Sequence, residues 1–424
     1  MDQLINRRDL LKLAGMGVAV FVSGTAIRAG GSQQKENDSF YFVQLSDTHW
    51  GFNGPAINPD SQGTLKKAVA AVNALDEQPD FVVFTGDLTQ TTDNRGVRRD
   101  RMAEFRDIVS QLKVKTVRFM AGEHDASLDR GEAYQEFFGD LHYTFDHNGV
   151  HFIVLDNGSD PMAAVGEKQL QWLQADLKQQ DKDARIVVLT HRPLFDLAPD
   201  WDWATQDGAA VINTLMQHSN VTVLYGHIHQ EHHHMTGHIA HHAAKSLMWA
   251  LPEAHSVPKK GPMPWNAAEP YKGLGFRNVE ARVRAGQYDI KEFPVLKGLS
   301  HMKKLALFLV AAAIGYFYQE SMARPSAKDP RSDEQVIRIS AKTFEFVPSE
   351  ITVKKGIPAT LELISADRHH GFKLSAFQLR ADIRPGSVEK VRFVPDRTGR
   401  FTFLCDVFCG DGHEGMSGTL TVIE

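Results

Sequence analysis

Between about residues 40 and 295 short apolar runs alternate with helical stretches. The runs 40–45, 81–84, 117–120, 186–189 and 221–224 predict buried strands, and 64–75, 99–112 and 167–180 predict helices. Such alternation implies an α/β fold. From about residue 335 the helical period disappears. Short alternating runs at 336–339, 344–346, 351–353, 359–363, 391–393 and 399–403, separated by Pro and Gly turns, predict a small all-β sandwich. The chain of 424 residues therefore divides into a unit over 38–298, a linker over 302–334 and a unit over 335–424.

Two apolar segments fall outside these units. Arg7 and Arg8 precede a mildly apolar stretch at 13–27, and residues 1–30 resemble a twin-arginine export signal. A second apolar stretch, 305–318, follows Lys303 and Lys304 and has the layout of a secretory signal in mid-chain. It is shorter than the roughly 20 residues a membrane span needs. If the first segment exports the chain, the two lysines begin outside, against the positive-inside tendency. The expectation is a pair of joined export precursors whose internal signal survives as an interdomain helix or an interfacial anchor. Location is then periplasmic, with membrane association through 305–318 as an alternative.

The first unit carries its chemistry where its strands end. The run 40–45 leads to Asp47 and His49, 81–84 to Asp87, and 117–120 to Glu123, His124 and Asp125. The run 186–189 leads to His191, and 221–224 to His227 and His229. Strands of one sheet that end in ligating residues gather them along one edge, where α/β proteins bind ligands. Mixed oxygen and nitrogen donors suit manganese, iron or zinc better than calcium or magnesium. If the strands continue through these motifs, Asp47 and His49, and likewise His227 and His229, project to one side and each pair can chelate. Each residue alone reads as a cap or loop residue; five such strand ends in this order do not. The histidines from His232 to His242 are read as strand or rim residues without a role.

Composition narrows the partners. A net charge of −5 supplies no basic field for a phosphate backbone, so nucleic acid is not expected as a standing partner. Only Cys405 and Cys409 are present, which excludes a disulfide framework and makes them a local pair.

The ordered blocks Asp47-Thr48-His49, Gly86-Asp87, Gly122-Glu123-His124-Asp125, His191 and Gly226-His227-Ile228-His229 resemble the calcineurin-like metallophosphoesterases over roughly residues 40–250. The resemblance implies a four-layer sandwich, two mixed β-sheets flanked by helices, with two divalent metal ions. Asp47, His49, Asp87 and His229 would hold one ion. Asp87, Glu123, His191 and His227 would hold the other, with Asp87 bridging. His124 would contact substrate and serve the leaving group, with Asp125 orienting it. The reaction would be in-line attack on phosphorus by a metal-bound hydroxide. A small phosphodiester is the first choice of substrate and a monoester the second. Position 123 departs from the family pattern, which has Asn there. A carboxylate still binds metal but adds negative charge that weakens attraction for an anionic phosphate.

In the second unit, thiolate, imidazole and thioether together select copper. The spacing Cys405-x3-Cys409-x3-His413-x2-Met416, with Asp367-x2-His370 upstream, resembles the binuclear CuA domain of cytochrome oxidase subunit II and nitrous oxide reductase. The resemblance covers about 90 residues and implies a Greek-key cupredoxin. It also implies bridging Cys405 and Cys409, His370 and His413 on one copper each, Met416 as a weak ligand and the carbonyl of Val407 completing the site. His370 is preferred to His369 by the family spacing. The leading reading is an exported phosphoester hydrolase joined to an electron-transfer domain, with a redox or copper-delivery protein as partner. The rival is a copper-handling protein whose first unit is a metal-binding scaffold of little activity.

Overall fold

The apolar runs of the first unit pair into two six-stranded mixed sheets that face one another. The computed structural model describes residues 18–20, 39–257, 260–282, 287–295 and 334–424. The first sheet has the order Val18–Val20, Gln287–Pro294, Gly275–Arg282, Ser39–Leu45, Phe81–Thr85, Val117–Met120. Its last three strands are parallel. The second sheet runs Tyr143–His147, Val150–Val154, Arg185–Leu189, Asn220–Tyr225, Ile239–Ala243, His232–Thr236. Its four middle strands are parallel and both edges are antiparallel.

Phe42, Phe81 and Val83 of one sheet meet Phe152, Val187 and Leu189 of the other in a shared core. Phe42 and Phe81 stack at 4.7 Å, and Phe152 packs edge-on against both. Removing such a ring costs about 3–5 kcal/mol, which makes Phe152 a point where the two sheets could be separated. The outer face of the first sheet buries Val43, Leu45, Val82 and Phe84 against the helices Thr64–Asn73 and Arg95–Val109. Helices Glu167–Leu177 and Gly208–Leu215 cover the outer face of the second. The helix expected from 99 begins at Arg95, because the Asn94 side chain accepts from the backbone N–H groups of Gly96 and Val97 and caps it there.

The second unit is a β-sandwich. One sheet has the order Glu345–Val347, Gln335–Lys342, Ala359–Ser365, Val388–Phe393. The other runs Glu350–Lys354, Ser417–Ile423, Gly399–Leu404, His370–Leu374, Leu379–Ile383. Leu361, Leu363, Phe372, Phe403 and Leu420 fill the space between them, and Cys405, Cys409 and Met416 belong to the same buried cluster.

Of the residues assigned to the export leader, Val18–Val20 form an edge strand antiparallel to Gln287–Pro294. The remainder of that segment and the apolar stretch 305–318 lie outside the described residues. Among the described residues no helix is long and apolar enough to cross a membrane.

Candidate metal centres

The strand ends converge, but through turns. Asp47, His49, Asp87, His227 and His229 all have positive φ, at 52°, 41°, 49°, 64° and 54°. This corrects the expectation that Asp47/His49 and His227/His229 continue an extended strand. Non-glycine residues enter the left-handed region at a cost and stay there only when their surroundings hold them. Here the backbone N–H of Asp47 donates to Gly86 O at 3.1 Å, that of His49 to Asp87 O at 2.9 Å, and that of His227 to the Asp47 carboxylate at 3.1 Å.

The turns also separate the two histidines of the last motif. His229 Nε2 lies 3.2 Å from Asp47 Oδ1 and 3.2 Å from His49 Nε2, whereas His227 Nδ1 lies 2.8 Å from Glu123 Oε1. The pair therefore serves two donor groups instead of chelating together.

One group is Asp47, His49 and His229; the other is Glu123, His191 and His227. Asp87 stands between them, with Oδ2 at 3.6 Å from His49 Nε2 and 3.3 Å from His191 Nε2. All seven side chains are buried. Donors that face donors, such as the ring nitrogens of His49 and His229, have no mutual hydrogen-bonding logic beyond one shared proton. A cation between them satisfies both, so the residues present fit two divalent ions of the manganese, iron or zinc type.

The charge balance is set by proximity. Burial opposes ionisation of Asp47 and Glu123, yet His229 and His191 hold Asp47 below its ordinary range, and Arg192, His227 and His191 hold Glu123 well below it. Burial also opposes protonation of His191, but Asp87 and Glu123 raise its pKa well above the ordinary value. His49 is pushed well below, first by burial and then by His124.

Supporting residues absent from the motif reading complete the site. Arg192 Nη2 lies 3.3 Å from Glu123 Oε1 and is itself buried. Asn157 Oδ1 accepts from the N–H groups of His191 and Arg192 at 3.0 and 3.2 Å, and its Nδ2 donates to Arg192 O. The adjacency of Arg192 to His191 was the one sequence signal for either. Gly122 packs so closely on the Asp87 side chain that a Cβ would overlap it. Asp125 accepts from Leu88 N, Gly122 N and both Thr89 N and Oγ1. Its two oxygens fix the loop that carries Asp87. Burial and the neighbouring Asp87 push its carboxyl up to about 7.

The second cluster lies in the β-sandwich. Cys405 and Cys409 are free and buried. His370 Nδ1 is 3.9 Å from Cys405 Sγ, His413 Nδ1 is 3.6 Å from Cys409 Sγ, and Met416 Sδ is 3.8 Å from Cys409 Sγ. Val407 O lies 3.2 Å from Cys405 Sγ. His370 is fully buried, whereas His369 turns to Asp382 at 3.3 Å, so the cluster takes His370. Two sulfurs, two imidazole nitrogens and a thioether suit copper.

The model of the calcineurin-like phosphoesterases matches residues 40–231, and that of the cupredoxin-like domains matches 306–422. A calcineurin-like phosphoesterase region is joined in this chain to a cupredoxin-like domain. Over 92 residues it is 30% identical to cytochrome c oxidase subunit 2 of Thermus thermophilus, covering 22% of this chain and 68% of that protein. It is 28% identical over 202 residues to a probable cyclic nucleotide phosphodiesterase of Rhodococcus erythropolis, covering 45% of this chain and 64% of the relative. It is likewise 28% identical over 195 residues to the serine/threonine-protein phosphatase CPPED1 of Mus musculus, covering 40% and 62%. The chain thus spans a little under two thirds of either hydrolase relative.

The cupredoxin-like domain docks on the phosphoesterase through the very loops that hold both clusters. Phe408 N donates to Pro161 O at 2.8 Å, and Arg368 forms a two-pronged pair with Asp93 at 2.9 and 2.8 Å. Gln90, which also meets His49 Nδ1 at 2.9 Å, donates to Asp411. Phe408 packs edge-on against the His124 ring at 5.3 Å. A cavity of about 240 Å³ results. Its lining includes His49, Asp87, Glu123, His227 and His229 from the phosphoesterase, and Asp411, Gly412 and Gly415 from the cupredoxin-like domain. A larger hollow of about 900 Å³, lined in part by Met263, Trp265 and Tyr271, shares His229, Trp249 and Leu251 with it.

Proposed function

We propose that this chain is an exported, metal-dependent phosphoester hydrolase that prefers phosphodiesters, and that its cupredoxin-like domain carries a binuclear copper centre for electron transfer. The observation that carries the hydrolase reading is the convergence of seven buried donors into two groups sharing Asp87. Bound there, two divalent ions would lower the pKa of a water and neutralise phosphoryl oxygens. The chain's own residues do the rest. His124, edge-on between His49 and Phe408, would give a proton to the leaving oxygen. Arg192 beside Glu123 offsets the charge that the carboxylate adds, so the Glu-for-Asn departure is compatible with phosphate binding. The adjoining aromatic hollow gives room for the second ester group of a diester.

Two buried thiols with two imidazoles and a thioether support the copper reading, with Cys405 and Cys409 bridging, His370, His413 and Met416 as side-chain ligands and Val407 giving its carbonyl. A redox or copper-delivery protein would be its partner. The paired arginines before the apolar stretch at 13–27 support a periplasmic location. Glu123 is the observation that favours the second reading, a copper-handling protein on a weakly active scaffold.

The test is hydrolysis of a chromogenic phosphodiester by manganese-loaded protein beside His191→Ala. Loss of an outer partner of a metal ligand typically costs about 10–100-fold, so loss of the ligand itself is expected to exceed about 100-fold. Folded, metal-loaded protein that turns over no diester or monoester with manganese, iron or zinc would overturn the hydrolase reading in favour of the second.

A further inference from the structure

Asp202 joins the two clusters. It follows the short helical turn Pro199–Trp201 and takes φ 60°, a conformation that its surroundings must hold. Its carboxylate Oδ2 lies 3.4 Å from His413 Nε2. Its backbone carbonyl lies 3.1 Å from His227 Nε2. The opposite nitrogen of each ring faces its own donor cluster: His413 Nδ1 is 3.6 Å from Cys409 Sγ, and His227 Nδ1 is 2.8 Å from Glu123 Oε1. Arg192 closes a second path, donating through Nη1 to Asp202 Oδ2 at 2.8 Å and to its carbonyl at 3.0 Å while facing Glu123 through Nη2.

A ligating histidine normally gives its other N–H to a carboxylate or a carbonyl, and that partner tunes the ligand's basicity and the metal it holds. In this chain one residue plays that part for two rings at two centres. We propose that Asp202 is a shared positioning residue that couples the copper centre to the phosphoesterase centre, so that metal occupancy at the second resets the reduction potential of the first. The inference rests on both clusters holding metal, as proposed above.

The sign follows from the geometry. The Asp202 carboxylate feeds electron density into the His413 ring and favours oxidised copper. A cation at Glu123, His191 and His227 draws on the Asp202 carbonyl through His227 and on its carboxylate through Arg192. That withdraws density from His413 and raises the copper potential. Coupling of this kind is reciprocal, so copper reduction also alters metal affinity at the phosphoesterase centre.

The experiment uses the full chain loaded with copper, titrated with redox mediators and followed by visible absorbance, with and without zinc. Zinc is redox-silent, so only copper reports. Calorimetry and metal analysis establish zinc occupancy independently. In the natural protein zinc is expected to favour reduced copper by about tenfold, the lower end of what outer partners are worth, or about 59 mV for one electron. Asp202→Asn removes the charge with a residue that tolerates the left-handed conformation. It is expected to raise the zinc-free potential and to reduce the zinc-induced shift by at least half. A potential indifferent to zinc in natural protein that has bound both metals would overturn the coupling alone. An undiminished shift in Asp202→Asn would overturn the assignment to this residue. Failure to bind zinc at all would overturn the phosphoesterase reading with it.

Discussion

The donors of the phosphoesterase centre come from positions between Asp47 and His229, delivered beyond the ends of five separate strands, whereas four of the five side chains around the copper cluster lie between Cys405 and Met416. The first centre therefore depends on how separate segments are pinned to one another. Five of its residues sit at positive φ and are held there by hydrogen bonds from other loops. The second depends on one loop closing over His370 at the end of the β-sandwich. A dispersed site is fragile at its supports, and a local one at its ligands.

The largest expected effect tests the dispersed centre at a support that is not a ligand. Asn157→Ala leaves the buried N–H groups of His191 and Arg192 without their acceptor. Each unsatisfied buried group costs about 1–3 kcal/mol, so about 2–6 kcal/mol of stability is expected to disappear, measured by denaturant unfolding. Metal affinity at the Glu123, His191 and His227 group should fall about 10–100-fold by calorimetry. The copper absorbance should not change. A variant with natural stability and affinity would show that the strand-end turns hold themselves, and the contrast between the centres would fail.

An intermediate effect separates the two domains by acid. His241 is fully buried on the strand Ile239–Ala243, and burial, with His234 opposite, pushes its imidazole down to about 3. His242 is pushed to the same value, by burial and then by His233. An unfolded imidazole titrates near 6.5, so the unfolded chain takes up these protons first as pH falls. Stability is full above about pH 6.5 and is lost progressively down to about pH 3, on the order of 3 kcal/mol per ring by pH 4. Unfolding followed across this range should show the phosphoesterase part failing first, and His241→Leu should reduce its acid sensitivity. Equal pH profiles for natural protein and variant would remove the buried imidazole as the cause.

What was legible in the chain follows the same division. The five ligand-bearing strand ends were visible because apolar runs stop abruptly at Asp, Glu or His, and the copper cluster because its spacing lies within one loop. The strand His232–Thr236 was legible only as a strand-or-rim alternative, because its polar composition does not alternate visibly and an edge strand need not. The positive φ values were hidden as well: Asp-x-His reads as extended until the loops that turn it are in place. Asn157 and Asp202 act through partners distant in sequence, in the case of Asp202 on another domain, and nothing local marks them, while Arg192 is marked only by its adjacency to His191.

The smallest expected effect concerns what the two centres do not share. Cys405 Sγ accepts from Gly371 N at 3.3 Å and neighbours Val407 O and His370 Nδ1, all within the cupredoxin-like domain. Cys405→Ser replaces a soft bridging thiolate with a hydroxyl that is a poor copper ligand, while Cys409, His370, His413 and Met416 still form the donor set of a mononuclear site. Copper analysis is expected to fall from two ions per chain to one, and the absorbance to change from violet to blue. None of these partners belongs to the phosphoesterase centre, so at saturating zinc hydrolysis by the variant should stay within about twofold of the natural protein. Redox-silent zinc removes electron exchange from that measurement and leaves only the shape of the cavity wall. A larger loss would mean that the loop carrying Asp411, Gly412 and Gly415 needs its copper to form the roof over His49 and His229. In that case the local centre would be one more support of the dispersed one.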